Sequence, residues 1–316
     1  MKFVIVGAGA IGRLFGVFLS RGGHKVVFVE KKAEVVEAIN TRGVGLLELG
    51  TDDPHGMLFY PAMAVTDAAT IERCDAVLLT VKSFDTLAAI KSVAHLVSES
   101  SPVLSLQTGI GNLEIMEKVV AHQNIVRGFT YMAGAALGAG QVRQGGGGKT
   151  YIGELDNRPS VRIAKLSQTF TACGIDTEVV PGIRNRLWCK VIVYSAINPL
   201  TAILRVRNGQ LLEQPESLAL MRRLLEEGRA VATAHDIELG CSDLEDLLQA
   251  TCRNTAANIS SMLQDIVNGK ETEINTLNGA LCDMGRERDV PVPTHEAIVQ
   301  LIKLLEKWGY GPDDAR

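Results

Sequence analysis

The sequence has little net charge, and it has no long uncharged apolar run. Its 316 residues carry 32 Lys and Arg against 36 Asp and Glu, which gives a net charge of −4. This balance excludes the strongly basic composition of a general nucleic-acid-binding protein and argues against a polybasic membrane anchor. No segment reaches the roughly 18 uncharged apolar residues that span a bilayer. We therefore expect a cytoplasmic protein with neither a nucleic-acid partner nor a membrane partner.

Cysteine and histidine are also sparse. The six cysteines form no C-x-x-C pair and have no histidine at metal-ligand spacing, so the sequence predicts no metal site. A chain of this length buries a core without disulfides, and we expect all six cysteines to be reduced and buried. Five of the six histidines fall in separate segments with no partner in reach by sequence, which disfavours a histidine-centred mechanism: His24, His55, His95, His122 and His295. Thr294 is a candidate N-cap for a helix that includes His295.

Glycine, by contrast, is abundant, and its first cluster lies between a predicted strand and a predicted helix. The apolar run Lys2–Val6 leads into a G-x-G-x-x-G turn formed by Gly7, Ala8, Gly9, Ala10, Ile11 and Gly12. In such turns the glycines permit a tight bend, close approach of a pyrophosphate, and contact between helix and sheet. Arg13 interrupts the apolar start, so we expect a dinucleotide-binding turn here and not a signal peptide.

Alternating strand and helix patterns continue to about residue 180, and only helical patterns follow. Strands are predicted at 26–29, 76–81 and 102–106, and helices at 185–204, 215–235, 244–267, 272–286 and 295–308. Four consecutive glycines, at 145–148, predict a flexible surface turn. The expected fold class is α/β, with a Rossmann-type doubly wound sheet in residues 1–180 that binds the dinucleotide. Residues 181–316 are expected to form an all-helical substrate and catalytic domain.

The residues leave the choice of dinucleotide open. Glu30 ends the second predicted strand, where a carboxylate accepts hydrogen bonds from a ribose 2′-hydroxyl and so favours NAD(H). Lys31 and Lys32 follow at once, and Lys82 ends a neighbouring strand. These cations suit a 2′-phosphate, and Lys31 and Lys32 equally suit an exposed helix start.

In the helical half, Lys190, Tyr194 and Asn198 share one face of a predicted helix, because they are spaced by four residues. A lysine on an apolar face is either a partnered, functional group or a side chain that reaches past the apolar surface to water. The spacing alone does not decide between these two. Nor does it choose a carboxylate partner among Asp265, Glu271 and Glu273.

Several motifs resemble those of the ketopantoate reductases, in order along nearly the whole chain. Besides the glycine turn they are Val81-Lys82-Ser83, Leu106-Gln107-Thr108-Gly109-Ile110-Gly111-Asn112, Leu187-Trp188-Cys189-Lys190, Ile197-Asn198-Pro199-Leu200-Thr201-Ala202, Ser260-Ser261-Met262-Leu263-Gln264-Asp265-Ile266 and Thr272-Glu273-Ile274-Asn275. The resemblance implies NADPH-dependent reduction of ketopantoate, a 2-keto acid, to D-pantoate in the synthesis of pantothenate and coenzyme A.

The resemblance also implies roles for single residues. Lys190 would be the general acid, and Glu273 the carboxylate that orients the substrate hydroxyl or the lysine. Asn198 and Ser261 would hold the polar groups of the substrate, and Lys82 would contact the cofactor.

The apolar faces of the predicted helices in the second half, apart from any resemblance, would support a homodimer.

This chain departs from the family pattern at three places. Thr108, which we assign to both the substrate and cofactor sites, and Tyr194, which we assign to the substrate site, replace family asparagines. Glu30-Lys31 replaces the usual arginine after the second strand. These departures keep open the alternative of a related D-2-hydroxyacid dehydrogenase that reduces another 2-keto acid and can use NADH. A second alternative, of a different class, is a dinucleotide-binding sensor that kept the cofactor site and lost catalysis.

Overall fold

The computed structural model describes residues 1–51, 53 and 56–310, so that His55 lies outside the described part of the chain. The chain divides into two compact units. The first unit comprises Met1–Gln107 and Asn112–Ile183, whereas the second combines Thr108–Gly111 with the chain from Arg184 onward. The predicted division after residue 180 did not anticipate that a short internal segment would join the helical unit.

The first unit is built on an eight-stranded sheet that carries the glycine turn. Its strands are β1 Lys2–Val6, β2 Lys25–Val29, β5 Met63–Val65, β6 Ala76–Leu79, β7 Val103–Ser105, β8 Ile125–Thr130, β11 Thr150–Glu154 and β12 Thr177–Val179. Their order across the sheet is β12-β11-β8-β7-β6-β1-β2-β5, and only the β8–β11 pair is antiparallel. This arrangement confirms the α/β fold class.

Helices cover both faces of this sheet because alternate side chains of each buried strand point to opposite faces. They are α1 Ala10–Arg21, α2 Ala33–Arg42, α3 Thr86–Val93, α4 Asn112–Glu117 and α5 Val161–Ala172. On β1, Phe3 and Ile5 join the core formed with α1 and α5, whereas Val4 and Val6 join the core formed with α3 and α4. The sheet is therefore doubly wound.

A second, four-stranded sheet packs against α1 in the same unit, and the sequence did not predict it. Its strands are β3 Val44–Leu47, β4 Leu58–Tyr60, β9 Ala133–Gly138 and β10 Gln141–Gly146, in the order β4-β3-β10-β9. Arg13 of α1 is buried and donates from Nη1 to the carbonyls of Gly138 and Gln141, at 2.7 and 2.6 Å. Desolvation lowers the pKa of this guanidinium.

The four consecutive glycines at 145–148 do not form the flexible surface turn that the sequence predicted. Gly145 and Gly146 belong to β10, where Gly146 pairs with Ala133 of β9 and the register shifts between Gln144 and Gly146. A Cβ on Gly148 would lie 2.4 Å from the backbone of Tyr131, so at this position glycine permits two backbone segments to pack closely.

The second unit is helical. Its helices are α6 Ile183–Leu204, which begins at the junction between the units, α7 Pro215–Ala234, α8 Leu244–Asn254, α9 Ser261–Val267, α10 Ala280–Glu287 and α11 Pro293–Trp308. A π-helical turn, Asn275–Gly279, leads into α10. By length and hydropathy α6 could cross a membrane, but 78% of its apolar window is buried inside the protein, as in a core helix.

Two helix predictions in this unit were wrong. The single helix predicted over 244–267 is two helices, because separate N-caps start them: Asp243 accepts from the backbone of Glu245 and Asp246, and Ser260 accepts from Leu263. Thr294 does not cap α11. It lies inside that helix, and the Glu227 carboxylate accepts the N–H groups of Thr294 and His295, both at 3.0 Å.

The expectation that all cysteines are reduced was also wrong. Cys189 on α6 and Cys241, which lies between α7 and α8, form a disulfide across 52 residues of sequence. Their Cα atoms lie 6.2 Å apart, an approach that sequence spacing does not reveal. Cys74, Cys173, Cys252 and Cys282 remain thiols, and Cys74 is only half-buried. Burial raises the pKa of Cys252 and Cys282 to about 11, so these thiols are protonated and unreactive at neutral pH.

Candidate active site

The backbone of the glycine turn between β1 and α1 depends on its first and last glycines. Gly7 has a φ of +96°, and a Cβ there would lie 2.8 Å from the Val81 side chain. A Cβ on Gly12 would lie 2.1 Å from the Gly7 carbonyl, so the first and last glycines are required by the turn itself. Gly9 is different: it is exposed, and a Cβ there would meet no atom within 4 Å.

The start of α1 is open to an anion. Gly9 occupies the N-cap position, and no side chain caps the helix. The first N–H groups of a helix lack intrahelical acceptors and carry the positive end of the helix dipole. The residues present therefore fit a dinucleotide pyrophosphate, with Ala10, Ile11 and Gly12 forming the first helical turn.

Glu30 closes the other side of this turn. One carboxylate oxygen accepts the Ala8 N–H at 2.9 Å, and the other accepts the Lys32 N–H at 3.1 Å. The carboxylate thus ties the end of β2 to the glycine turn. Lys31, in contrast, is exposed and forms an ion pair with Asp85 at 2.9 Å.

Lys82 lies at the carboxyl end of β6, where buried polar side chains hold the backbone. It occupies the N-cap position of a short 3₁₀ turn, Ser83–Asp85. The Gln107 amide donates to the Val81 carbonyl at 3.1 Å and to the Thr86 hydroxyl at 2.7 Å. Gln107 therefore binds a backbone carbonyl before Lys82 and a side chain after it, a role that sequence reasoning missed although Gln107 lies in one of the motifs.

The predicted substrate residues all belong to the second unit, including Thr108. The segment 108–111 packs on the π-helical turn: the Ile110 N–H donates to the Thr276 carbonyl at 2.9 Å. Gly109 has a φ of +105°, and a Cβ there would lie 2.8 Å from the Thr276 hydroxyl oxygen. Glycine is thus required at residue 109 both by its backbone conformation and by this close contact.

Helix α6 presents the three residues that the sequence placed on one face. Lys190 and Asn198 are 4% and 6% exposed, and Tyr194 is half-buried. The Lys190 Nζ lies 4.9 Å from the centre of the Tyr194 ring, within the range of a cation–π interaction. A lysine this deeply buried does not reach the solvent. This excludes the interpretation of Lys190 as a side chain that extends past an apolar surface to water.

Ser261 and Glu273, the other two predicted site residues of this unit, lie outside α6. Ser261 is exposed at the start of α9, directly after the capping residue Ser260. Glu273 is half-buried, two residues before the π-helical turn. Its carbonyl accepts the N–H groups of Thr276 and Leu277, both at 3.1 Å, so its backbone is tied to that turn.

His295 is a buried residue that sequence reasoning assigned only to a helix start. Its side chain is fully buried, between an amide nitrogen of Asn278 at 3.0 Å and the Leu224 carbonyl at 3.0 Å. Burial lowers the pKa of this histidine. Within residues 1–51, 53 and 56–310, no three His, Cys, Asp or Glu side chains cluster in a way that could hold a metal ion.

Known proteins match this chain over nearly its whole length. A family model described as ketopantoate reductase PanE/ApbA matches residues 3–157, and the model of that family's C-terminal region matches residues 182–306. A 2-dehydropantoate 2-reductase of Halobacterium salinarum is 31% identical over 309 residues, which cover 98% of this chain and 100% of that one.

Two solved structures show the same fold along the chain. A PanE/ApbA family ketopantoate reductase from Ralstonia eutropha has a TM-score of 0.87 at 31% identity, covering 98% of this chain and 100% of its own. A D-mandelate dehydrogenase with NADH and anilino(oxo)acetate has a TM-score of 0.90 at 26% identity, covering 97% and 99%. The resemblance inferred from the motifs is confirmed: this chain belongs to the ketopantoate reductase family, and it is a nicotinamide-dinucleotide-dependent oxidoreductase that acts on the CH–OH group of a 2-hydroxy acid.

Proposed function

We propose that this protein reduces ketopantoate to D-pantoate with NADPH, as a 2-dehydropantoate 2-reductase in pantothenate and coenzyme A synthesis. The observation that carries the proposal is that Lys190 and Asn198 are both buried on α6, in a chain that matches ketopantoate reductases over nearly its whole length. A sensor that only binds a dinucleotide has no need of a buried ammonium among substrate residues, so this arrangement disfavours the sensor alternative.

In the proposed mechanism, this chain stabilises and protonates the carbonyl oxygen of the substrate. A reduced nicotinamide, when bound, supplies the hydride to the carbonyl carbon. As negative charge grows on the oxygen, the Lys190 ammonium stabilises it and donates a proton, which completes the hydroxyl group. Asn198 and Ser261 bind the polar groups of the substrate, and Glu273 orients the substrate hydroxyl or Lys190.

The glycine turn and its neighbours serve the dinucleotide in this proposal. The first turn of α1 binds the pyrophosphate through backbone N–H groups, and the open space at Gly9 permits its approach. Lys82, and Thr108 at the start of the Gly109–Gly111 turn, contact the cofactor. Lys31 binds the 2′-phosphate in this proposal, in exchange for its exposed ion pair with Asp85.

A second candidate is NADH-linked reduction of another 2-keto acid to a D-2-hydroxy acid. Two observations favour it. Glu30 places a carboxylate at the end of β2, which repels a 2′-phosphate, and the fold matches a D-mandelate dehydrogenase structure that contains NADH with a TM-score of 0.90. Tyr194 and Thr108, which replace family asparagines, would then shape a pocket for a different side chain.

Steady-state kinetics separate these candidates. We would measure kcat/KM for ketopantoate, 2-ketoisovalerate and phenylglyoxylate, each with NADPH and with NADH. The proposal expects the highest value for ketopantoate with NADPH. A higher value for another 2-keto acid would overturn the ketopantoate assignment, and binding of dinucleotide without turnover of any 2-keto acid would support the sensor.

We also propose a cytoplasmic location and a homodimer, both predicted from the sequence. Exposed apolar residues on α11, among them Leu301, Leu304 and Trp308, offer a surface for a second copy, and sedimentation equilibrium would test this.

Disulfides are rare in a reducing cytoplasm, so alkylation in a fresh lysate tests the location. Six reactive cysteines after denaturation would support the cytoplasm and would mean that the Cys189–Cys241 pair is reduced in the cell, whereas protection of these two cysteines would indicate an oxidising compartment.

A further inference from the structure

The π-helical turn Asn275–Gly279 is the only stretch of π-helix among the described residues, and it begins two residues after Glu273. Its Gly279 N–H donates to the Ile274 carbonyl at 2.9 Å, five residues back. Single π-helical turns are rare and frequently occur at functional sites, because the widened turn places its side chains differently from an α-helix. This turn contacts two other segments that carry predicted substrate residues.

Thr276 connects Glu273 with the segment 108–111. Its N–H donates to the Glu273 carbonyl at 3.1 Å, and its hydroxyl approaches the same carbonyl at 3.3 Å. Its own carbonyl accepts the Ile110 N–H at 2.9 Å, and its side chain fills the space beside Gly109. A shift of the π-helical turn would therefore move both Glu273 and the segment that begins with Thr108.

Asn278 connects the same turn with α6, at a backbone carbonyl that a proline leaves without its usual helical donor. Pro199 lies inside α6 and has no N–H, so the carbonyl of Ser195, four residues earlier, lacks its usual helical donor. The Asn278 amide nitrogen supplies that donor at 2.8 Å. Ser195 lies between Tyr194 and Asn198 in sequence, so this hydrogen bond reaches the stretch of α6 that carries the predicted substrate residues.

His295 holds the Asn278 amide in this orientation. Because a carbonyl only accepts, the His295 Nε2 must carry the ring proton that is donated to the Leu224 carbonyl. The other ring nitrogen, Nδ1, then accepts from the Asn278 amide nitrogen at 3.0 Å. Asn278 is fully buried, so solvent offers no replacement for either bond.

We propose that Asn278 is a positioning residue of the substrate site: it fixes the π-helical turn, and with it Glu273 and the segment 108–111, against the part of α6 that carries Lys190, Tyr194 and Asn198. The proposal rests on the function proposed above for those residues. Asn278 itself acts through the backbone of α6 and needs no contact with substrate.

The test compares Asn278→Ala with a matched control, Asn208→Ala. Asn208 is also a buried asparagine of the second unit; its amide nitrogen donates to the Thr255 hydroxyl at 2.9 Å. In both residues the side-chain oxygen has no hydrogen-bond partner among the described residues. The two variants therefore remove the same group from similar surroundings, but only one of them loosens the π-helical turn.

Two readouts are needed. Hydrogen exchange, followed by mass spectrometry on peptides that cover 108–111, reports the Ile110 N–H and does not depend on activity. We expect exchange about tenfold faster in Asn278→Ala and unchanged in Asn208→Ala. For the active enzyme, we expect kcat/KM for the 2-keto acid to fall by about 10²-fold in Asn278→Ala and to stay within twofold of wild type in Asn208→Ala.

The outcomes distinguish this proposal from the proposed function. If the wild-type enzyme turns over no 2-keto acid, the proposed function fails, and the exchange of Ile110 still tests the positioning role. Wild-type exchange in Asn278→Ala, or equal acceleration in both variants, would overturn that role. If Asn278→Ala does not fold, Asn278→Ser retains a shorter donor and is expected to show a smaller change in the same direction; no change in Asn278→Ser would count against the proposal.

Discussion

The ammonium of Lys190 lies 4.9 Å from the centre of the Tyr194 ring, one turn further along α6. Lys190 is only 4% exposed, so neighbouring protein groups and not water must stabilise its charge. The face of the Tyr194 ring is one of these groups. The resemblance of the motifs to those of ketopantoate reductases implies an asparagine at the position of Tyr194 in that family. The ring therefore gives this enzyme a different surface beside the proposed proton donor.

We predict that the ring of Tyr194 and not its hydroxyl supports Lys190. Tyr194→Leu removes the aromatic face, which contributes about 0.5–2 kcal/mol, and should lower kcat/KM by roughly 2- to 30-fold. Tyr194→Phe retains the ring and should stay within about twofold of wild type. Steady-state kinetics on both variants check this, and an equal loss in both would show that the hydroxyl matters instead.

Removal of the Lys190 ammonium should abolish most of the chemistry while leaving cofactor binding intact. In Lys190→Ala we expect kcat to fall by about 10²- to 10⁴-fold, the usual contribution of a general acid. The NADPH dissociation constant, measured by fluorescence titration, should not change. Lys303→Ala, at an exposed position of α11, is the control and should behave as wild type. An unchanged kcat in Lys190→Ala would remove this residue from the mechanism.

Gly9 and Gly12 should respond differently to alanine. At Gly9 a Cβ meets no protein atom within 4 Å, so Gly9→Ala should keep the wild-type Tm. The same methyl group stands where a pyrophosphate must approach, and we expect dinucleotide binding roughly tenfold weaker or worse. At Gly12 a Cβ would lie 2.1 Å from the Gly7 carbonyl, so Gly12→Ala should also lower the Tm. Calorimetry and titration together check both, and tight binding by Gly9→Ala would contradict the assigned pyrophosphate site.

Glu30 offers a test of cofactor choice, because it accepts hydrogen bonds from the backbone of Ala8 and Lys32 and is also the residue that we predicted to bind the ribose hydroxyl. If its carboxylate reads the ribose hydroxyl, Glu30→Ala should weaken NADH more than NADPH. Lys31→Ala should do the reverse if Lys31 binds a 2′-phosphate. Dissociation constants of both variants for both cofactors settle the matter. Equal weakening in Glu30→Ala would mean that the carboxylate only holds the glycine turn in shape.

The buried His295 predicts a specific dependence of stability on pH. Its pKa in the folded protein is lowered from 6.5, chiefly by desolvation, so below about pH 6.5 the unfolded chain binds a proton that the folded protein does not. Stability is thus complete above pH 6.5 and is lost as the pH falls towards the folded pKa, by at most about 1.4 kcal/mol per pH unit. Urea unfolding of the wild type and of His295→Gln between pH 5 and 7.5 isolates this contribution. If the free energy of unfolding changes with pH equally in both proteins, His295 does not contribute to the pH dependence.

Local patterns in the sequence predicted the elements that depend on neighbouring residues. The strand Lys2–Val6, the glycine turn and the helix after it are where the sequence placed them, since β-branched runs and required glycines act over a few residues. Spacing by four residues likewise placed Lys190, Tyr194 and Asn198 on one helix face. It did not reveal that Asp243 and Ser260 start separate helices, because in a run with helical periodicity throughout, a polar residue at a cap looks like one on an exposed face.

The sequence by itself determined the class of this protein: an α/β half with a dinucleotide turn, a helical half, and the motifs of one reductase family. Only the tertiary structure decided which distant segments meet. It joined Thr108–Gly111 to the helical unit, paired Cys189 with Cys241, and set the Asn278 amide against the carbonyl that Pro199 leaves without a donor. The physical reason is that periodicity reports how one segment exposes its own faces, whereas these contacts depend on the packing of segments that lie tens to more than a hundred residues apart.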